Sequence, residues 1–186
     1  FAYNIDFFPM LQAATGGADT SFEASGVFMA YFYYALVGRG TSHTGALVCK
    51  VGNRHGLGTD ILEDGLGTII DYPGYIADPQ GNMPWALSNL YWEQNFLDYR
   101  ITILAGLLDA SDYTNVYALM DPWSDFFNLA FSNDLTIPIP DPGLGIALFA
   151  QFTDNLYILG SLVDANGDPT KPLENFNSFF GSAEYF

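Results

Sequence analysis

Carboxylates and aromatic rings are the groups with which this chain could do chemistry. Asp and Glu number 21 against five Lys and Arg, alongside 16 Phe, 12 Tyr and 3 Trp. The densest gathering is segment 109–142, with Asp109, Asp112, Tyr113, Tyr117, Asp121, Trp123, Asp125, Phe126 and Asn128. Glu93 and Arg100 stand a short link apart, and Lys50, Arg54 and His55 cluster earlier in the chain. Such groups can replace water around a polyhydroxylated solute. Carboxylates, amides and cations meet its hydroxyls, rings cover its flat faces, and weak binding lets it leave.

Other chemistries find little support. His43 and His55 stand alone, twelve residues apart, without zinc-ligand spacing. Cys49 is the single cysteine, so no internal disulfide can form. It falls on the apolar face of its strand and reads as lipid-facing or packed rather than reactive. Glu63-Asp64 could suggest a glycosidase pair, but it lies on a polar loop where solvation is the favoured reading. Asp164-Ala-Asn-Gly-Asp-Pro169 partly matches a calcium loop. Pro169 stands where a Gly is required and Asn175 where a bidentate Glu is needed, so a turn-rich loop is favoured. The expectation is no enzyme, no metal and no cofactor.

The elements that must position these groups are constrained by composition. The net charge is −16, yet only 14% of residues are charged, against roughly 25% in ordinary soluble domains. With 17% aromatic residues the chain does not read as disordered, and five scattered cations do not make a nucleic-acid face. An outside so poor in charge suits something other than water. The 186 residues fit one domain or a piece of a larger one. The opening run Phe1 to Asp6 lacks a basic region and apolar core, so any export signal is expected to be removed or upstream. The best apolar stretch, Ala24 to Gly38, has fifteen residues where a spanning helix needs about 20.

Strand signals are clearer. Tyr99, Ile101, Ile103, Ala105 and Leu107 share one face; Arg100, Thr102, Leu104 and Gly106 share the other, with Leu104 the exception to its polarity. Leu144, Ile146 and Leu148 oppose Gly145, Ala147, Phe149 and Gln151, and Leu47, Cys49 and Val51 oppose Val48 and Lys50. Segments 24–37, 86–96 and 155–163 are strand-like but apolar on both faces in places. Residues 2–13 form a weaker strand, and 181–186 could begin another. Short links at 38–42, 97–98 and 153–154 alternate with long Gly/Pro/Asp-rich loops near 52–84, 109–142 and 165–180. That alternation is uncommon in compact soluble domains and expected of outer-membrane barrels. The fold expected is all-β: an antiparallel transmembrane β-barrel of the porin type, with residues 1–186 a single partial barrel. About eight strands fit, which leaves open a small closed barrel or half of a larger one.

Particular residues then suggest a family. Leu90-Tyr-Trp-Glu-Gln-Asn-Phe96, Arg100-Ile-Thr-Ile, Gly106-Leu-Leu-Asp109 and Asp121 to Phe131 resemble the carbohydrate-selective porin (OprB) family. Asp164 to Pro169 followed by Phe179 to Phe186 is also similar, and Val51-Gly-Asn-Arg-His-Gly56 looks like an upstream family segment. The good resemblance covers about residues 85–186. It implies a sixteen-stranded outer-membrane barrel that passes sugars by diffusion, of which this chain looks like the N-terminal half. Family members often carry a basic or polar residue where Leu104 stands.

The candidate lumen and constriction residues are Lys50, Arg54, Glu93, Arg100, Asp109, Asp112, Asp121, Trp123 and Asp125. Segment 109–142 folds into the lumen or packs outside as an extracellular loop. Arg100 points into the lumen or snorkels at the periplasmic rim. Glu93 and Arg100, on neighbouring strands, are within reach of each other and could neutralise two charges. Arg54 and His55 follow the strand end, at a pore mouth or, the favoured reading, in an ordinary solvated loop. The excess of carboxylates favours cations or neutral solutes over anions. Expected partners are carbohydrate solutes and outer-membrane lipid, with no nucleic acid. Porins of this general kind often associate, which adds a homo-oligomer. Two other classes compete: a secreted acidic β-sandwich that binds carbohydrate, and a closed eight-stranded barrel anchor.

Overall fold

A computed structural model describes residues 1–13, 22–57, 83–114 and 141–181. The architecture is one antiparallel sheet of seven strands in meander order. The strands are β1 (Ala2–Ala13), β2 (Phe22–Val37), β3 (Thr44–Gly56), β4 (Met83–Phe96), β5 (Ile101–Leu108), β6 (Gly143–Thr153) and β7 (Leu156–Val163). Among the described residues two helical pieces accompany them, α1 (Ser111–Thr114) and α2 (Glu174–Gly181). The sheet is not a closed barrel: β1 and β7 are its two edges.

Period-two alternation sorts the side chains into two faces. Register places Tyr31 opposite Lys50, Lys50 opposite Asn89, and Val48 opposite Tyr91. Tyr91 stands opposite Gly106, and Gly106 opposite Gly145. These residues share the inner face. On the outer face Ile5 meets Ala30, Leu47 meets Trp92, Ala105 meets Ile146, and Ile146 meets Leu162. That face is mainly apolar, with Asn53, His55 and Gln94 among its polar members, and it is uncovered. Tyr3, Ile5 and Phe7 on β1, Tyr34 on β2, Leu47 on β3, Leu90 on β4, Ile146 and Leu148 on β6 and Ile158 and Leu162 on β7 are all exposed.

The inner face holds the small core. Val48, Tyr91, Leu104, Leu108, Ala110, Ala147 and Val163 are buried together, with Tyr33 and Tyr113 packed against them. Leu104, the apparent exception to the polar pattern of β5, belongs to this cluster. A second, smaller apolar group, Val27 with Phe8 and Met29, lies on the inner face of β1 and β2, and the polar residues Asp6, Lys50, Asn89 and Glu93 stand between the two.

Several boundaries differ from expectation. β3 runs to Gly56, so Arg54 and His55 lie within a strand instead of following it. β3 and β4 thus take residues 52–56 and 83–84 from the expected loop. β5 begins at Ile101, and Leu97 to Arg100 form the turn that precedes it. The loop expected near 165–180 contains α2. Residues 182–186 lie outside the described residues.

The short turns lie at one end of the meander, and the β4–β5 turn is tied to the β2–β3 turn and to β6. The Asp98 amide donates to the Ser42 carbonyl at 3.0 Å, and the Gln151 amide to the Arg100 carbonyl at 2.7 Å. Leu97, Asp98 and Tyr99 all adopt positive φ, at 53°, 54° and 66°. Each such non-glycine residue costs roughly 1–2 kcal/mol. Leu97 is exposed, so Leu97→Gly is expected to stabilise the sheet by about 0.5–1 kcal/mol. Gly106 requires glycine for a second reason. At φ 144°, an added Cβ would lie 2.4 Å from the Leu90 carbonyl oxygen and 2.7 Å from Tyr91 Cα. Gly106→Ala should destabilise by about 2 kcal/mol. Denaturant titration of both variants checks the opposite signs.

Candidate functional site: the polar concavity

The inner face of β1–β4 curves around an open concavity of about 380 Å³. Asp6 on β1, Tyr31 on β2, Lys50 on β3 and Asn89, Tyr91 and Glu93 on β4 line it, with Asp112 and Tyr113 of α1 completing the wall. The sheet supplies the strand residues by alternation. The α1 residues arrive because the chain leaving β5 turns back over the inner face.

That turn is anchored by four contacts. Lys50 Nζ donates to both carboxylate oxygens of Asp112, at 2.8 and 2.9 Å. Asn89 Nδ2 donates to Asp112 Oδ2 at 2.9 Å, while Asn89 Oδ1 accepts from the Asp109 amide at 2.7 Å. The hydroxyls of Tyr91 and Tyr113 lie 2.7 Å apart. Asn89 is 2% exposed, so its amide is spent on the chain that crosses it. Gly106, Gly145 and Ala147 share the inner face with Tyr91.

The remaining carboxylates of the concavity bond to amides. Asn4 Nδ2 donates to Asp6 Oδ2 at 2.5 Å, and Asn95 Nδ2 to Glu93 Oε1 at 2.6 Å. Thr102 Oγ1 donates to Asn95 Oδ1 at 2.6 Å, holding that amide in place across the β4–β5 pair.

The candidate residues fall out unevenly. Lys50, Glu93 and Asp112 meet in the concavity, and Asp109 braces its edge. Arg54 lies on β3 opposite Val27, on the inner face. Arg100 is exposed in the β4–β5 turn. Register sets Glu93 opposite Leu104, four residues from Arg100, so cross-strand pairing does not bring those two charges together. Asp121, Trp123 and Asp125 lie outside the described residues, as do Tyr117, Phe126 and Asn128. The start of segment 109–142 folds over the inner face. Asp6, Tyr31 and Asn89 were missed. Counting by twos from Glu93 reaches Tyr91 and then Asn89. Tyr31 is hidden by a strand with aromatic residues on both faces.

Asp164 to Pro169 forms a tight turn. Asp168 Oδ1 accepts from the Thr170 amide at 2.9 Å and its hydroxyl at 2.6 Å, and Lys171 Nζ lies 3.4 Å from Oδ2. Asn175, at the position where a calcium loop has its Glu, accepts from the Asp168 amide at 2.7 Å instead. The Pro169 carbonyl accepts from the Leu87 amide at 2.8 Å, tying the turn to β4.

No family model, curated protein or solved structure matches this chain.

Two aspartates outside the strands respond to pH with opposite signs. Burial, and next the charge of Asp112, push the Asp109 carboxyl above the usual carboxylate range, against bonds from Ser111. A raised acid destabilises the folded state once ionised, and the penalty is relieved as pH falls through the raised value. Ser111 donates to Asp109 Oδ1 from both its amide and its hydroxyl, and an amide oxygen can accept both. Asp109→Asn should therefore raise Tm at neutral pH and flatten its pH dependence. Bonds from Thr170 hold Asp168 below the usual range. Its contribution is complete above the ordinary value and is lost as pH falls through the lowered one. An NMR titration should show the Thr170 amide shift moving at that lower pH, and Asp168→Asn should abolish the step.

Proposed function

We propose that this chain forms part of the wall of a porin-type outer-membrane β-barrel, through which carbohydrates and other small solutes diffuse passively. The observation that carries the reading is the outer face. Large apolar side chains stand exposed on six of the seven described strands, from Tyr3 on β1 to Leu162 on β7, while the charged strand residues Asp6, Lys50, Arg54 and Glu93 turn inward. Water disfavours a patch of this extent and hydrocarbon favours it. No helix among the described residues is long and apolar enough to cross a membrane, a fact that leaves crossing by strands untouched.

Three further features agree. The strands run from 8 to 16 residues, and a tilted membrane strand needs about 9–11. Short turns occupy one end and long connections the other, the asymmetry of outer-membrane barrels. The inner concavity presents Asp6, Asn89, Glu93 and Asp112 beside Tyr31, Tyr91 and Tyr113, which suits hydroxyl-rich solutes. A bilayer tolerates no unpaired strand edge, so the pore also needs strands beyond the seven described. The alternative, a soluble sandwich, needs a second sheet over the outer face, and the described strands make a single sheet.

The test is conductance of the full-length protein in planar bilayers, with and without added sugar. Steps of current that sugar reduces reversibly support the reading. A water-soluble folded monomer that never conducts overturns it. The outer face makes a sharper claim. Leu148→Arg, at the middle of β6, should cost about 2–4 kcal/mol of folding into lipid vesicles. Ser161→Arg, on the inner face, should cost far less.

A further inference from the structure

We infer that Asp112 sets the charge preference of the concavity by masking Lys50, an inference that rests on the channel-wall reading above. Among the described lining residues, Lys50 carries the positive charge, and Asp6, Glu93 and Asp112 carry the negative. Lys50 is placed by β3 and Asp112 by α1, a separation of 62 residues, so the pairing depends on the chain after β5 folding over the sheet. Both carboxylate oxygens lie within hydrogen-bonding reach of Nζ, and Asn89 donates to one of them. The ammonium is thereby compensated where it stands. Asp6 and Glu93 take amide partners, Asn4 and Asn95, which leave their charges intact. The field met by a passing ion is that of the two amide-bonded carboxylates.

The masking is separable from the fold. Tyr113 is held independently by Tyr91, and the Asp109 amide by Asn89. Loss of the Asp112 charge leaves the chain's course over the inner face supported while baring Lys50. Charge lining a narrow, low-dielectric passage acts strongly on permeating ions.

Reversal potentials of the full-length protein across a KCl gradient test this. The wild type should prefer potassium to chloride. Asp112→Asn should lower that permeability ratio by at least about twofold. Lys50→Gln should raise it, and the double variant should return toward the wild-type value. A change in bore alone alters conductance without moving the ratio in opposite directions. Lys50→Gln suffices by itself should Asp112→Asn fail to fold. A wild-type protein that does not conduct overturns the channel reading. A conducting wild type whose foldable single variants keep its ratio overturns the masking inference alone.

Discussion

Everything in this structure depends on side-chain alternation across a single sheet. In a strand, neighbours must point to opposite faces, so each strand deals its residues alternately to the inner and outer faces. Six registers then have to agree, because a slip of one residue in any pair would send Lys50, Asn89 or Glu93 to the apolar side. The bulges between Lys50 and Val51, and near the end of β2, show how the agreement is kept where strand lengths do not match. An extra residue is absorbed locally and the faces are preserved beyond it.

The inner face is shaped as much by what is small as by what is polar. Glycine at 106 and 145 lets neighbouring strands approach closely, since an added Cβ would lie 2.4 Å from the Leu90 carbonyl oxygen or 2.5 Å from that of Leu162. The Lys50–Asp112 pair is partly exposed, and pairs of that kind contribute about 0–1 kcal/mol. Holding the turn falls to Asn89, to the tyrosine pair and to the apolar cluster of Leu104, Leu108, Ala110 and Val163. The ion pair shapes the local field more than the stability.

Part of the sheet was legible in the sequence because three strands, those around Lys50, Ile103 and Ile146, carry their alternation openly. Lys50, Glu93, Gly145 and Ile146 were assigned to their faces from period two alone. The strand around Tyr31 and Tyr33 was not, since an aromatic ring fits either face and only pairing with β3 decides. Arg54 and His55 read as loop because Gly52-Asn-Arg-His looks like a break, yet backbone pairing with β2 carries the strand through it. Tyr99 and Arg100 read as the first two residues of a strand. Three left-handed residues before it lengthen the turn, a conformation that nothing in Leu97, Asp98 and Tyr99 announces. Asp112 was a candidate by type, but its partner stands 62 residues away, and such a contact is written in the topology rather than in any local pattern.

The edges of the sheet carry a parity rule. In a meander of seven, the first and last strands point the same way. A ring in which every neighbour runs opposite to the next must hold an even number of strands. Closing the seven described strands into such a ring would therefore take an odd number more. Copies of the sheet laid side by side in one orientation would not supply it, because their borders would meet head beside head.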